Sequence, residues 1–153
     1  MATTLILPTL DRLPDYMAAL EHGWSTDHLR RAVAAQEELA RIAQDPALFI
    51  SRCTNLQAEG GPLTLPDGLQ VERLPGRVFW MVDDSDNALC GVINIRWRPG
   101  TPALPEHVLG HAGYAAMPWQ RNRGHATAAL IAVRPYLRDQ GLPYFEVTCD
   151  ADN

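Results

Sequence analysis

Apolar and polar positions follow two different periods along the chain. In the first third they recur at helical spacing. Over residues 11–22, Leu13, Met17 and Leu20 fall on one face and Gly23 supplies a stop, so a helix is predicted there. A second helix, capped by Ser25 or Thr26, is predicted to run to about Gln44. Leu29, Val33, Leu39 and Ile42 form its apolar stripe, and its other face is charged. Asp45-Pro46 places a cap and a first-turn proline in the right order for a third helix ending near Thr54. Residues 3–7 alternate weakly and read as a short strand closed by Pro8.

Residues 55–69, with Gly60, Gly61, Pro62, Pro66 and Gly68, form a loop. Beyond it the pattern changes to strands. Residues 77–82 and 89–97 are apolar runs separated by Asp83-Asp84-Ser85-Asp86-Asn87, which predicts a hairpin. Residues 107–116 read as a third strand of this set. Residues 124–138 place Ala126, Ala129, Leu130, Val133 and Leu137 on one helical face, with Pro135 expected to kink the helix and Gly141 to follow its end. Residues 143–149 are a last strand. The order strand, helices, three strands, helix, strand predicts a mixed α/β sheet in one domain spanning residues 1–153.

Composition narrows the chemistry. All 13 basic residues are arginine. The absence of lysine excludes a Walker-type phosphate loop, a pyridoxal Schiff base and the strand lysine of a kinase. A net charge of −5 gives no electrostatic case for nucleic acid. Cys53, Cys90 and Cys149 are sparse, odd in number and lack a CxxC pair, so neither a disulfide framework nor a zinc ribbon is expected. The first residues lack the basic segment of a signal peptide, and no 18-residue apolar run occurs. A cytoplasmic protein that does not engage membranes is expected. Asp84-Ser85-Asp86-Asn87 mimics the opening of a calcium loop, but the required Gly and closing Glu are missing, so no metal site is expected. No GxSxG elbow supports a serine hydrolase, and Cys149, with no partner base, reads as a buried strand residue.

The informative stretch is the strand–loop–helix junction from His111 to Ala126. A helix N-terminus offers unpaired backbone N–H groups and a positive dipole, and Gly124 lets a large anion approach the backbone closely. Arg121 to Ala126 is therefore chemically a pyrophosphate cradle, with Arg121 and Arg123 adding charge.

Arg121-Asn122-Arg123-Gly124-His125-Ala126 resembles the (Gln/Arg)-x-x-Gly-x-(Gly/Ala) motif of the GNAT superfamily of N-acetyltransferases, with Pro118 at the usual spacing. The resemblance extends over Phe79-Trp80-Met81-Val82-Asp83, Gly91-Val92-Ile93-Asn94-Ile95-Arg96, Gly110-His111-Ala112-Gly113-Tyr114 and Val147-Thr148-Cys149-Asp150-Ala151-Asp152-Asn153. It implies a GNAT-like mixed, mostly antiparallel sheet flanked by helices. It also implies acetyl-CoA, with its pyrophosphate on Arg121, Asn122, Arg123, Gly124, His125 and Ala126 and its pantetheine along Ala115, Ala116 and Met117. The implied acceptor is a primary amine of a small molecule or peptide. A non-catalytic acyl-CoA-binding or partner-binding module on the same fold is the alternative.

An amine must lose a proton before it attacks a thioester, so a base is sought near that strand. His111 precedes the expected splay, and histidine is the residue type suited to proton transfer near neutrality, so it is the candidate base; a histidine tying the strand to a loop is the other reading. His107 shares its face but lies ~13 Å away on an extended strand, too far for a shared metal. Glu146 on the last strand is a weaker candidate, and Tyr114 reads as pocket wall. The resembled chains continue beyond the fifth strand into a helix, which often supplies an acid, and two more strands. This sequence stops at Asn153, so that part of the fold is expected to be absent, and residues 144–148 are expected to form an exposed edge favouring a homodimer.

Overall fold

A computed structural model describes residues 2–147. In chain order the elements are β1 (Thr3–Ile6), α1 (Leu13–Glu21), α2 (Ala32–Gln44), α3 (Pro46–Ser51), β2 (Thr54–Asn55), β3 (Leu63–Thr64), β4 (Gln70–Val71), β5 (Gly76–Asp83), β6 (Ala88–Arg96), β7 (Ala112–Ala116), α4 (His125–Ala132) and α5 (Arg134–Asp139), with a 3₁₀ turn at Pro118–Gln120. The main sheet runs β1-β5-β6-β7, with β2 pairing the start of β5. All of these pairs are antiparallel. The expected mixed α/β architecture is met.

The hairpin β5–β6 forms where alternation and turn chemistry agree. Asp83 Oδ1 accepts from the Ser85 backbone N–H and hydroxyl, Asp86 Oδ1 accepts from Ala88 N–H, and Asn87 takes a positive φ of 61°. A bulge at Met81/Val82 re-aims the end of the pair. The sheet buries both faces. Trp80, Val82, Val92 and Ala115 pack under α1 and α2, whereas Phe79, Met81, Ile93, Ile95 and Ala112 pack under α4 and α5. Gly91 permits the tightest crossing, since a Cβ there would lie 2.7 Å from the Ala115 carbonyl oxygen.

Four elements depart from the sequence reading. The second helix begins at Ala32 rather than near residue 26, because Asp27 Oδ1 accepts from Leu29 and Arg30 N–H and closes a separate turn. Its stripe is also rotated: Leu29 and Val33 are 94% and 59% exposed, while Ala34, Ala35 and Ile42 are buried. The helix drawn over residues 124–138 is two helices meeting at Val133, and Pro135 sits in the first turn of α5, where its missing N–H costs nothing. The strand predicted from residue 107 starts at Ala112; residues 107–111 are turn and irregular backbone, so His107 and His111 do not share a strand face. The last strand reduces to a parallel bridge of Val147 with Ala112, and Thr148 and Cys149 lie outside the described residues. Within the predicted loop 55–69, β3 opens a two-stranded ribbon with β4. No helix among the described residues is long and apolar enough to cross a membrane.

Candidate active site

The predicted cradle is a loop of free donors. The N–H of Gln120 bonds the Met117 carbonyl and that of Ala128 bonds the Gly124 carbonyl, but the N–H groups of residues 121–127 find no acceptor among the described residues. Asn122 and Gly124 hold positive φ values of 64° and 79°, which turns successive N–H groups outward. No atom lies within 4 Å of where a Gly124 Cβ would stand, so the approach is open. Arg121, Asn122, Arg123 and Gly124 are exposed around it. A pyrophosphate fits this donor set, and residues 121–126 are the ones that would hold it.

The side chain of His125 does not join the cradle. It turns inward and is buried, with Nδ1 2.7 Å from the Thr3 hydroxyl and Nε2 3.4 Å from Asp83 Oδ2. The Thr3 hydroxyl thus fixes the ring, and Nε2 faces the carboxylate of Asp83 beyond hydrogen-bond geometry. Asp83 is fully buried at the end of β5. The Ser85 hydroxyl and N–H, then His125 and Arg123, hold its carboxyl below the usual carboxylate range despite burial. Arg123 bonds Gln120 Oε1 at 3.1 Å and lies 4.0 Å from Asp83 Oδ2, so part of its charge is spent locally.

The strand register decides which backbone groups of β7 are free. Arg96 N–H bonds the His111 carbonyl and Met117 N–H bonds the Cys90 carbonyl, so odd-numbered residues of β7 face β6. Ala112 N–H instead reaches the Glu146 carbonyl on the other side. By alternation, Tyr114 and Ala116 turn N–H and C=O away from β6, where they meet no partner among the described residues. Of the residues expected along the pantetheine, Ala116 turns its backbone away from β6, while the backbones of Ala115 and Met117 face β6.

The structure also corrects the candidate base. His111 is 1% exposed; its Nε2 donates to the Pro102 carbonyl at 2.9 Å, and Nδ1 accepts from the Glu146 N–H at 2.9 Å. A neutral ring with both nitrogens engaged has no lone pair for a substrate. Its backbone N–H also bonds the Glu146 carbonyl, so His111 ties residues 144–147 to β7. The Glu146 side chain is exposed, and its contribution to this site is through its backbone. His111→Ala should therefore speed amide exchange at Glu146, by hydrogen-exchange mass spectrometry or NMR, while leaving the pH dependence of any turnover unchanged. Loss of a kinetic pH limb in that variant would restore His111 to the chemistry.

A cleft of about 800 Å³ opens between the helices and the sheet. Val92, Asn94 and Arg96 of β6 and Gly113 and Ala115 of β7 form its floor, and α2 and α3 form one wall. That wall carries a residue the sequence reading passed over. Glu38 points inward on α2, half-buried, and its Oε1 accepts the Tyr16 hydroxyl at 2.6 Å. Tyr16 is fixed by stacking on Trp80 at 5.1 Å, and burial and Glu38 hold its phenol far above its ordinary pKa, so it stays a donor. Desolvation pushes the Glu38 carboxyl above the usual range, with Tyr16, Arg41 and Ser25 opposing. Ala35, Glu38 and Ile42 stand at i, i+3 and i+7, so the packing that buries the first and the last turns Glu38 to the same face. Cys53 also lines the cleft, but burial pushes its thiol up to about 11, and Sγ donates to the Phe49 carbonyl, so it is no nucleophile. No cluster of three metal-ligating side chains occurs among the described residues.

The arrangement thus joins an anion cradle, an open strand edge and a cleft with one inward carboxylate. Comparison with known proteins meets it at the family level: the family model described as an acetyltransferase (GNAT) domain matches residues 28–153. No curated protein and no solved structure matches the chain. The matched span contains α2 with Glu38, the open strand β7 and the whole cradle, and the chain belongs to the GNAT acetyltransferases.

Proposed function

We propose that this protein transfers an acetyl group from acetyl-CoA to a primary amine of a small molecule or peptide. The observation that carries the reading is the double role of β7. Its end leads into the loop of free N–H groups, and its residues 113–115 line the cleft that holds Glu38. A thioester lying along the open edge would meet an acceptor seated in that cleft.

The acyl donor supplies an activated carbonyl carbon. The backbone N–H of Ala116 faces the same edge and is the donor available to polarise that carbonyl. An incoming ammonium would give its proton to the carboxylate of Glu38, which Tyr16 orients by donating to Oε1. The freed nitrogen lone pair forms the C–N bond, the C–S bond breaks, and the thiolate takes up the second proton that the nitrogen sheds on becoming an amide. The test is thiol release from acetyl-CoA with a panel of amines. Amine-dependent release with a matching N-acetyl product by mass spectrometry is expected. Tight CoA binding with no turnover of any amine would leave a non-catalytic acyl-CoA-binding module instead.

A further inference from the structure

The chain carries a net charge of −5, yet the cleft does not share that sign. Three arginines line it: Arg41, Arg52 and Arg96. None forms an ion pair among the described residues. Against them stand two carboxylates. Asp45 is spent as the N-cap of α3, accepting from Leu48 N–H, and Glu38 is held by Tyr16. A surplus of unpaired guanidinium therefore faces the space an acceptor would occupy.

Arg96 is the most constrained of the three. It lies half-buried on the sheet floor, and its Nε donates to the Gly110 carbonyl at 2.7 Å. That bond fixes the plane of the guanidinium and leaves Nη1 and Nη2 without a partner among the described residues. The plane rests over Gly113, where a Cβ would stand 3.4 Å from Nη1 and 2.8 Å from Asn94 Oδ1. A glycine at that point is what lets the fork lie against β7. Burial lowers the Arg96 pKa without removing its charge, so the cation is desolvated and uncompensated. A fixed guanidinium fork with two free donors is the geometry that takes a planar or tetrahedral oxyanion.

Resting on the acetyltransferase reading, we propose that the acceptor is an amine that also carries an anionic group, with Glu38 receiving the amine and Arg96 the anion. The two poles sit on opposite surfaces of one cleft, α2 wall and sheet floor. A simple alkyl amine would satisfy the first pole and leave the second bare. A carboxylate and a phosphate share the chemistry that Arg96 recognises.

The test uses the full chain and a length series of ω-amino acids from glycine to 6-aminohexanoate, their primary amides, and aminoalkyl phosphates of matching length. Thiol release gives kcat/KM, and calorimetry without acyl donor gives acceptor affinity. At the best length, the acid or the phosphate should exceed the amide by about 10- to 100-fold in kcat/KM and in affinity. Which of the two wins identifies the anion. Arg96→Gln should collapse that preference to within about twofold, and Arg96→Lys should retain part of it. CoA affinity, measured alongside, should stay unchanged in both variants and shows that they are folded. Amides equal to or better than acids and phosphates, or a preference that survives Arg96→Gln, would overturn the proposal. Acetyl transfer to simple amines without acid preference defeats only the two-pole inference. Anion-dependent acceptor binding without any acetyl transfer defeats only the enzymatic reading.

Discussion

Replacing Gly124 with valine should weaken CoA binding by about 10- to 100-fold, since each 1.4 kcal/mol is a factor of ten. Two effects act together. The residue sits at a φ of 79°, where a β-branched side chain is strained by about 1–3 kcal/mol, so the loop would relax and its N–H groups would lose their common aim. The added methyls would also occupy the open space above the backbone that a pyrophosphate needs. Gly124→Ala should fall between, because it brings the strain with less bulk. Arg123→Ala should weaken binding less, because that guanidinium already shares its charge with Gln120 and Asp83. Calorimetry with CoA checks the series, and an unchanged affinity in a folded Gly124→Val protein would remove the cradle from the binding site.

Glu38→Gln should lower kcat by about 100- to 10,000-fold, the range for loss of a positioned base. The amide still accepts the Tyr16 hydroxyl, so the aromatic cluster around Tyr16 should survive. The wild-type rate should rise with pH through a limb above the ordinary carboxylate range, because burial raises the Glu38 pKa, and the variant should lack that limb. Stability should move the other way. At low pH Glu38 is protonated in folded and unfolded chains alike and imposes no penalty. As pH climbs, the unfolded chain ionises first, and stability falls until the raised folded-state pKa is passed. The glutamine variant is free of that loss, so near neutrality its thermal midpoint should equal or exceed the wild type's. A variant that is both less stable and fully active would assign Glu38 a structural role only.

How much of this was legible in the sequence depended on whether the signal was local. The β5–β6 hairpin was readable because alternation and the run of Asp, Ser and Asn residues agreed within a few positions. The junction of β7, a glycine loop and α4 was readable for the same reason, since strand end, glycine and helix start follow one another in sequence. The inward face of α2 was not. Two of its three buried positions are alanines, Ala34 and Ala35 beside Ile42, and the large-residue stripe pointed also to Leu29 and Val33, which solvent surrounds. A glutamate on such a helix is assigned to water by default, and only the tertiary position of Ala35 and Ile42 turns Glu38 inward. His111 misled differently. Read as part of a strand, it is a side chain with a free nitrogen; in the fold it serves as a surrogate for backbone pairing between β7 and residues 144–147. The free edge of Ala116 needed the strand register, which is not written in a single segment.

The bond between Thr3 and His125 spans 122 residues of sequence. β1 closes the sheet edge beside β5, and its threonine holds the histidine that follows the cradle glycine. Such a contact carries a large loop-closure cost, so it forms late, after the local helices and the β5–β6 hairpin. During synthesis, the first strand must wait until residue 125 has emerged before it finds this partner. The ability to capture an anion therefore matures as one of the last events of folding, and recovery of CoA binding after dilution from denaturant should lag behind recovery of helical circular dichroism.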